Sequence, residues 1–237
     1  MLINKIRLLV QAFSFLILTY GGRIGINLGY ALPCFACPYV AGCGGYCFLM
    51  FLQRVGIFGI AAYDRIFTYI GLQNLLWFLI FAVSAIILSK FWCGWICPFG
   101  SLLDALSGLR KKMGIREIEF SWTVRTMIKP IKYIFLAVIL AVPLLIAFLG
   151  LSSDFYILFC KICPARPIMP IFAGDIRRFG LEYSNWSTLI ISIVSVSFAA
   201  ITIVGSFFKD RFFCMVCPML PLIHLFNKLS PVRFVKW

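Results

Sequence analysis

The chain of 237 residues is 62% hydrophobic and only 13% charged, with a mean hydropathy of +1.01, whereas soluble domains carry about 25% charged residues. No soluble core of this length could bury so much apolar side chain, so the composition excludes a water-soluble globule and points to an integral membrane protein. The formal net charge of +14 concentrates at span boundaries, where it meets anionic lipid headgroups; without an interleaved basic and aromatic surface, it gives no support to nucleic acid as a partner.

Residues 8–30 form the first predicted span, interrupted by Gly21, Gly22 and Arg23, since glycine is tolerated in membrane helices and arginine can snorkel or face protein. A basic start followed by an apolar run is also how a signal peptide begins, but no small-residue cleavage pattern precedes the glycines, and the segment is expected to be retained. Next come Cys34-Phe35-Ala36-Cys37-Pro38 and Cys43-Gly44-Gly45-Tyr46-Cys47. Residues 48–63, with Gln53 and Arg54, are too short and too polar to cross, and read as an interfacial or re-entrant helix. Residues 66–89 form the second span and lead to Cys93-Gly94-Trp95-Ile96-Cys97-Pro98. Residues 131–151 form the third, followed by Cys160-Lys161-Ile162-Cys163-Pro164; residues 186–208 form the fourth, followed by Cys214-Met215-Val216-Cys217-Pro218. These three later runs are each close to the roughly 20 residues that cross about 30 Å of hydrocarbon.

The order span, Cys-Cys-Pro motif, span, Cys-Cys-Pro motif occurs twice, which marks a duplication: residues 1–118 are the first membrane repeat and 119–237 the second. The expected fold is an all-α integral membrane protein of four main transmembrane helices in two tandem repeats, related by a pseudo-twofold axis along the membrane normal, with short interfacial or re-entrant helices. Lys5, Arg7, Lys90, Arg110, Lys111, Lys112, Arg116, Lys209, Arg211, Lys228, Arg233 and Lys236 mark one face as cytoplasmic. Arg54, Arg65, Lys161, Arg166, Arg177 and Arg178 lie on the other. Both termini are thus expected in the cytoplasm of a prokaryotic cell, with the chain in its cytoplasmic membrane. The tryptophans fall mostly near predicted interfaces, where an amphipathic ring is favoured.

Alternation of spans and motifs places Cys93, Cys97, Cys214 and Cys217 on the cytoplasmic face and Cys34, Cys37, Cys160 and Cys163 on the outer one. Four thiolates suit iron-sulfur clusters or zinc and exclude magnesium and calcium. A recurring Cys-Pro ending is found in ferredoxins. Zinc is redox-silent, and helices organised by a bilayer do not need it for folding, so a [4Fe-4S] cluster at each quartet is preferred. Cys43 and Cys47 have no counterparts in the second repeat; they read equally as a disulfide in an oxidising compartment or as ligands of a third cluster with a partner's help.

Cys93-Gly94-Trp95-Ile96-Cys97-Pro98-Phe99-Gly100, with Leu102 and Leu103 after it, resembles the ferredoxin-type motif of the NapH, NosR and MauN membrane proteins. Cys214 to Pro218 matches the second cytoplasmic motif of that family. The resemblance implies [4Fe-4S] clusters and electron transfer between a quinol pool and partner redox enzymes. The family pattern has Cys-x3-Cys-Pro twice on one face; here three motifs are Cys-x2-Cys-Pro and two fall on the opposite face, which favours transfer across the membrane. Redox subunits or soluble carriers on one or both faces are the expected partners, and a quinone is a further candidate cofactor, with Asp104 the best-placed proton acceptor for it. Faces about 30 Å apart exceed one tunnelling step, so the loops must fold inward, a third cofactor must intervene, or a quinone must bridge.

His224 is the single histidine, so haem held by two histidines of this chain is excluded. The rival readings are a membrane thiol-disulfide oxidoreductase using its Cys-x2-Cys pairs, which leaves the prolines and Cys93-x3-Cys97 unexplained, and a zinc-stabilised membrane anchor. No bond-making catalytic residue is expected.

Overall fold

The computed structural model describes residues 2–29, 37, 40, 42–53, 69–88, 91–149, 157–174 and 185–228. Its helices are α1 (Leu2–Tyr20), α2 (Phe48–Phe51), α3 (Tyr69–Leu88), α4 (Pro98–Lys112), α5 (Trp122–Ile128), α6 (Ile131–Leu149), α7 (Leu158–Ile162), α8 (Ala165–Phe172), α9 (Trp186–Phe208) and α10 (Met219–Lys228). A 3-10 turn at Gly21–Ile24 follows α1, a π turn at Trp92–Ile96 precedes α4, and a second 3-10 turn at Phe212–Met215 precedes α10. No strand occurs among the described residues, so the chain is all-α as expected.

Two helical runs are long and apolar enough to cross a bilayer: Trp122–Ile146, which joins α5 to most of α6, and Trp186–Phe208. Both begin at an exposed tryptophan, the residue that settles at a lipid-water interface. The polarity of α9 is inverted relative to a soluble helix. Ser192, Ser195, Ala199, Thr202 and Ser206 face inward, whereas Ile190, Ile193, Val194, Ile201 and Val204 are exposed. A stripe of small residues at spacings of three and four lets backbones approach closely, the usual packing of membrane helices, and here it receives α4 and α7. The other two expected spans are α1 and α3, whose apolar part Leu72–Leu88 is shorter.

Helix α1 starts earlier and stops earlier than the 8–30 reading. It ends at Tyr20 because the glycine pair opens a 3-10 turn closed by Gly25 in the left-handed region at φ 81°. Its apolar Leu8, Leu9, Phe13 and Leu16 are exposed, while Gln11, Leu18 and Thr19 face the interior. The described part of the 48–63 segment, expected to be interfacial or re-entrant, lies inside the protein. Phe48, Leu49 and Phe51 are fully enclosed and Gln53 is buried, so the chain after Cys47 dives into the protein; residues 54–63 lie outside the described set.

Pieces of both repeats build one core. Helix α4 of the first packs on α9 of the second, α10 packs on α3 and α6, and α1 lies along α4 and the π turn. Arg110 fastens α4 to the end of α9: it donates to the Phe208 carbonyl at 2.7 Å and to Asp210 at 2.7 Å. Ser107 reaches the Ser206 carbonyl at 3.5 Å, and the Ile118 N–H joins Arg110 on the Phe208 carbonyl at 3.1 Å. A helix C-terminus whose carbonyls would otherwise be orphaned is thereby satisfied.

Candidate metal centre

The first set of cysteines is assembled by two tight turns. Cys93 and Cys97 lie in and just after the π turn; Cys214 lies in the 3-10 turn and Cys217 just before α10. Cys97 is the N-cap of α4, extended at φ −60° and ψ 116°, with Pro98 as the first helical residue. Proline costs nothing there because that N–H has no intrahelical partner. The Cys97 Sγ accepts the Gly100 N–H at 3.4 Å. A Cβ on Gly100 would stand 3.0 Å from the Cys93 carbonyl oxygen and 3.7 Å from the Cys97 sulfur, so the glycine of Cys-Pro-Phe-Gly keeps that cradle open. The sulfur of Cys217 accepts the Met219 N–H in the same way.

Electrostatics bind the four together. Burial, then the neighbouring Cys97, pushes the Cys214 thiol up to about 12. The Cys217 thiol is raised far above its ordinary value by burial and by Cys214, Cys93 and Cys97. The raised Cys214 and Cys217 thiols have Cys93 and Cys97 close by, and a cation that replaced their protons would relieve the cost of their charge, the coupling expected of a metal site.

Cys37, Cys47, Cys160 and Cys163 form a second buried group; Cys34 lies outside the described residues. The Cys160 thiol is raised by burial, then by Cys47 and Cys37, and Cys163 by burial and then by Cys37, Cys160 and Cys47. Gln53 locks the two loops together: its amide donates to the Leu49 carbonyl at 3.1 Å and to Cys160 Sγ at 3.4 Å, and its carbonyl accepts the Phe159 N–H at 3.2 Å. Cys43 and Cys47 are not joined by a disulfide.

The two groups are close. On α1, the Gln11 amide donates to the Gly94 carbonyl at 2.9 Å, and the Leu18 carbonyl accepts the Gly44 N–H at 3.0 Å. Seven residues of helix separate these contacts, roughly 10 Å at 1.5 Å per residue, and Cys47 senses the charge of Cys97. The loops that carry the two sets therefore approach each other along α1. Glycine makes that possible: a Cβ on Gly44 would sit 2.4 Å from the Ile17 carbonyl oxygen, and one on Gly22 would sit 2.6 Å from that of Cys43.

Among the described residues, no three cysteine, histidine or acidic side chains converge on one point. The donor set at each group is all sulfur and largely buried from water, the chemistry that suits a [4Fe-4S] cluster.

Beside the first set, Asp104 accepts both Arg211 Nε at 2.6 Å and Arg211 Nη2 at 2.5 Å, Gln11 at 2.7 Å, and Arg7. Arg211, the one non-glycine residue at positive φ among those described, also donates to the Gly94 carbonyl at 3.2 Å. Burial alone would raise the Asp104 carboxyl, but Arg211, Gln11 and Arg7 hold it below its ordinary value. This corrects the expectation that Asp104 accepts a proton from quinol: its lone pairs are committed to two guanidinium groups. The same residues line a cleft of 590 Å³ with Asn4, Ser107 and Lys111. Sequence reasoning missed this network, although Asp104 seven residues past Cys97 and Arg211 three before Cys214 both flank motif cysteines.

Comparison with known proteins agrees with the chemistry. Residues 70–116 and 191–236 match the family described as a 4Fe-4S binding domain, and these stretches hold Cys93, Cys97, Cys214 and Cys217. Over 52 residues the chain is 36% identical to the regulatory protein NosR of Pseudomonas aeruginosa, covering 22% of this chain and 7% of that one. It is 25% identical over 128 residues to the protein NirI of Paracoccus denitrificans, covering 54% and 16%, and 32% identical over 72 residues to NosR of Stutzerimonas stutzeri, covering 30% and 10%. The matched region thus spans at most 16% of the length of these relatives. No solved structure matches the chain significantly. Two segments of the chain are thus similar to the 4Fe-4S binding domain family, and the resemblance to NosR read from Cys93 to Gly100 is borne out.

Proposed function

We propose that this protein is an integral membrane electron carrier with two [4Fe-4S] clusters, passing electrons between a quinol pool or soluble donor and a partner redox enzyme. One observation carries the reading: cysteines from both halves of the chain are brought into two buried all-thiol groups, whose neighbouring loops touch α1 about two turns apart. A bound cluster would supply one-electron chemistry at each site. Cys93, Cys97, Cys214 and Cys217 hold the first; Cys37, Cys160 and Cys163 contribute to the second.

The rest of the chain tunes and isolates these sites. N–H donors on the Cys97, Cys163 and Cys217 sulfurs favour the more negative reduced state, a recognised control on cluster potential. Arg211, fixed by Asp104 against the Gly94 carbonyl, adds a permanent positive charge. Phe99, Phe213, Leu103 and Phe48 exclude water around the pair. Two neighbouring clusters make a relay, and the polar cleft next to the first one gives a partner or quinol headgroup an approach. Arg7, Arg110, Lys111, Lys209 and Arg211 meet at that end of the molecule, which supports placing it and the termini in the cytoplasm.

Thiol-disulfide exchange is the weaker reading because buried thiols with raised pKa values are poor nucleophiles. Dithionite should bleach the visible absorption of anaerobic protein and an oxidised acceptor should restore it, cycle after cycle. A spectrum indifferent to dithionite, with thiol titre changing instead, would move the function to dithiol chemistry.

A further inference from the structure

We infer that Cys47, and not Cys43, is a ligand of the second cluster, in company with Cys37, Cys160 and Cys163. This rests on the cluster-carrier reading and assigns a residue that the Cys-Cys-Pro pattern passes over. Cys47 closes a five-residue unit, Cys43-Gly44-Gly45-Tyr46-Cys47, with the same Cys-Gly-x-x-Cys frame as Cys93-Gly94-Trp95-Ile96-Cys97. Only the proline is missing, replaced by Phe48.

Local geometry repeats as well. Cys47 is the N-cap of α2 at φ −67° and ψ 132°, close to the φ −60° and ψ 116° of Cys97 before α4. The Cys47 carbonyl accepts the Met50 N–H at 3.0 Å, as the Cys97 carbonyl accepts the Ser101 N–H at 2.9 Å. A cysteine that opens a helical turn thus stands in the same backbone setting in both places.

Placement selects the quartet. Cys47 is 4% exposed and, like Cys43, packs in the same core as Cys37 and Cys163. Gln53, two residues past α2, ties the turn that Cys47 opens to the Cys160 sulfur and the Phe159 N–H. The charges of Cys160 and Cys163 are both felt with that of Cys47. Cys43 differs: its carbonyl is wedged against Gly22 at the end of α1. Four described sulfurs therefore suffice for a cubane.

The test uses the full chain, purified anaerobically in detergent, with Cys34→Ser, Cys43→Ser and Cys47→Ser compared by iron content and by EPR after dithionite. Cys47→Ser should fall from about eight irons per chain to about four and lose one of two signals, while Cys43→Ser and Cys34→Ser keep both. Retention of both signals in Cys47→Ser, or loss of one in Cys34→Ser or Cys43→Ser with Cys47→Ser intact, overturns the assignment. Should the serine variant fail to accumulate, Cys47→Asp replaces the sulfur ligand with oxygen; a shifted second signal supports the assignment and an unshifted one overturns it. Wild-type protein without iron would sink the cluster reading itself, an outcome that metal analysis separates from a wrong ligand.

Discussion

Cys97→Ser and Cys217→Ser should each abolish the same EPR signal and leave the other cluster in place. The two residues come from opposite repeats, yet Cys217 senses Cys214, Cys93 and Cys97 together, and the Phe99 and Phe213 rings beside them meet edge to face at 5.3 Å. Groups that act as one site lose their contributions only once, so the double variant should lose little more than either single. Iron content should fall from about eight to about four in all three. Two different signals lost in the two singles would show that each repeat closes its own cluster.

Asp210→Ala should be the most damaging substitution away from the cysteines. Arg110 is 1% exposed, and its guanidinium has Asp210 at 2.7 Å as its close carboxylate, with Glu117 more distant at 3.9 Å. Removing one partner of a buried pair strands the other charge, at about 3–5 kcal/mol; the remaining Glu117 puts the expected loss near the bottom of that range, about 3 kcal/mol. Lys111 contacts the same carboxylate at 2.9 Å but is 63% exposed, and Lys111→Ala should cost under about 1 kcal/mol. Thermal loss of cluster absorption, compared among the three proteins, measures the difference. Equal effects for the two substitutions would mean that Arg110 is not the anchor joining α4 to α9.

The cysteine spacing made much of the first site legible. A duplicated pattern of motifs and apolar runs predicts that Cys93 and Cys97 meet Cys214 and Cys217, and burial and charge coupling put these four together. Distance between the two groups was not legible, because it depends on contacts with no periodic signature. Gly22 and Gly44 let the outer loop press against the end of α1, and Gln53, read as a residue too polar to cross, is in fact the buried clamp on Cys160. Cys43 and Cys47 stood out as a pair, readable as a disulfide or as ligands of a third cluster, but without a proline the sequence did not single out Cys47. Asp104 was recognised as unusual near a cysteine motif but given the wrong role, since its arginine partners lie far away in sequence. For α9, the sequence showed an apolar run; which side holds the serines and threonines became meaningful only once α4 was seen against it.

Iron and acid-labile sulfide measured on anaerobically purified protein most directly test the claim that this membrane protein holds two [4Fe-4S] clusters. The expected result is brown protein with about eight irons and about eight sulfides per chain. Colourless protein containing stoichiometric zinc and no sulfide would contradict it.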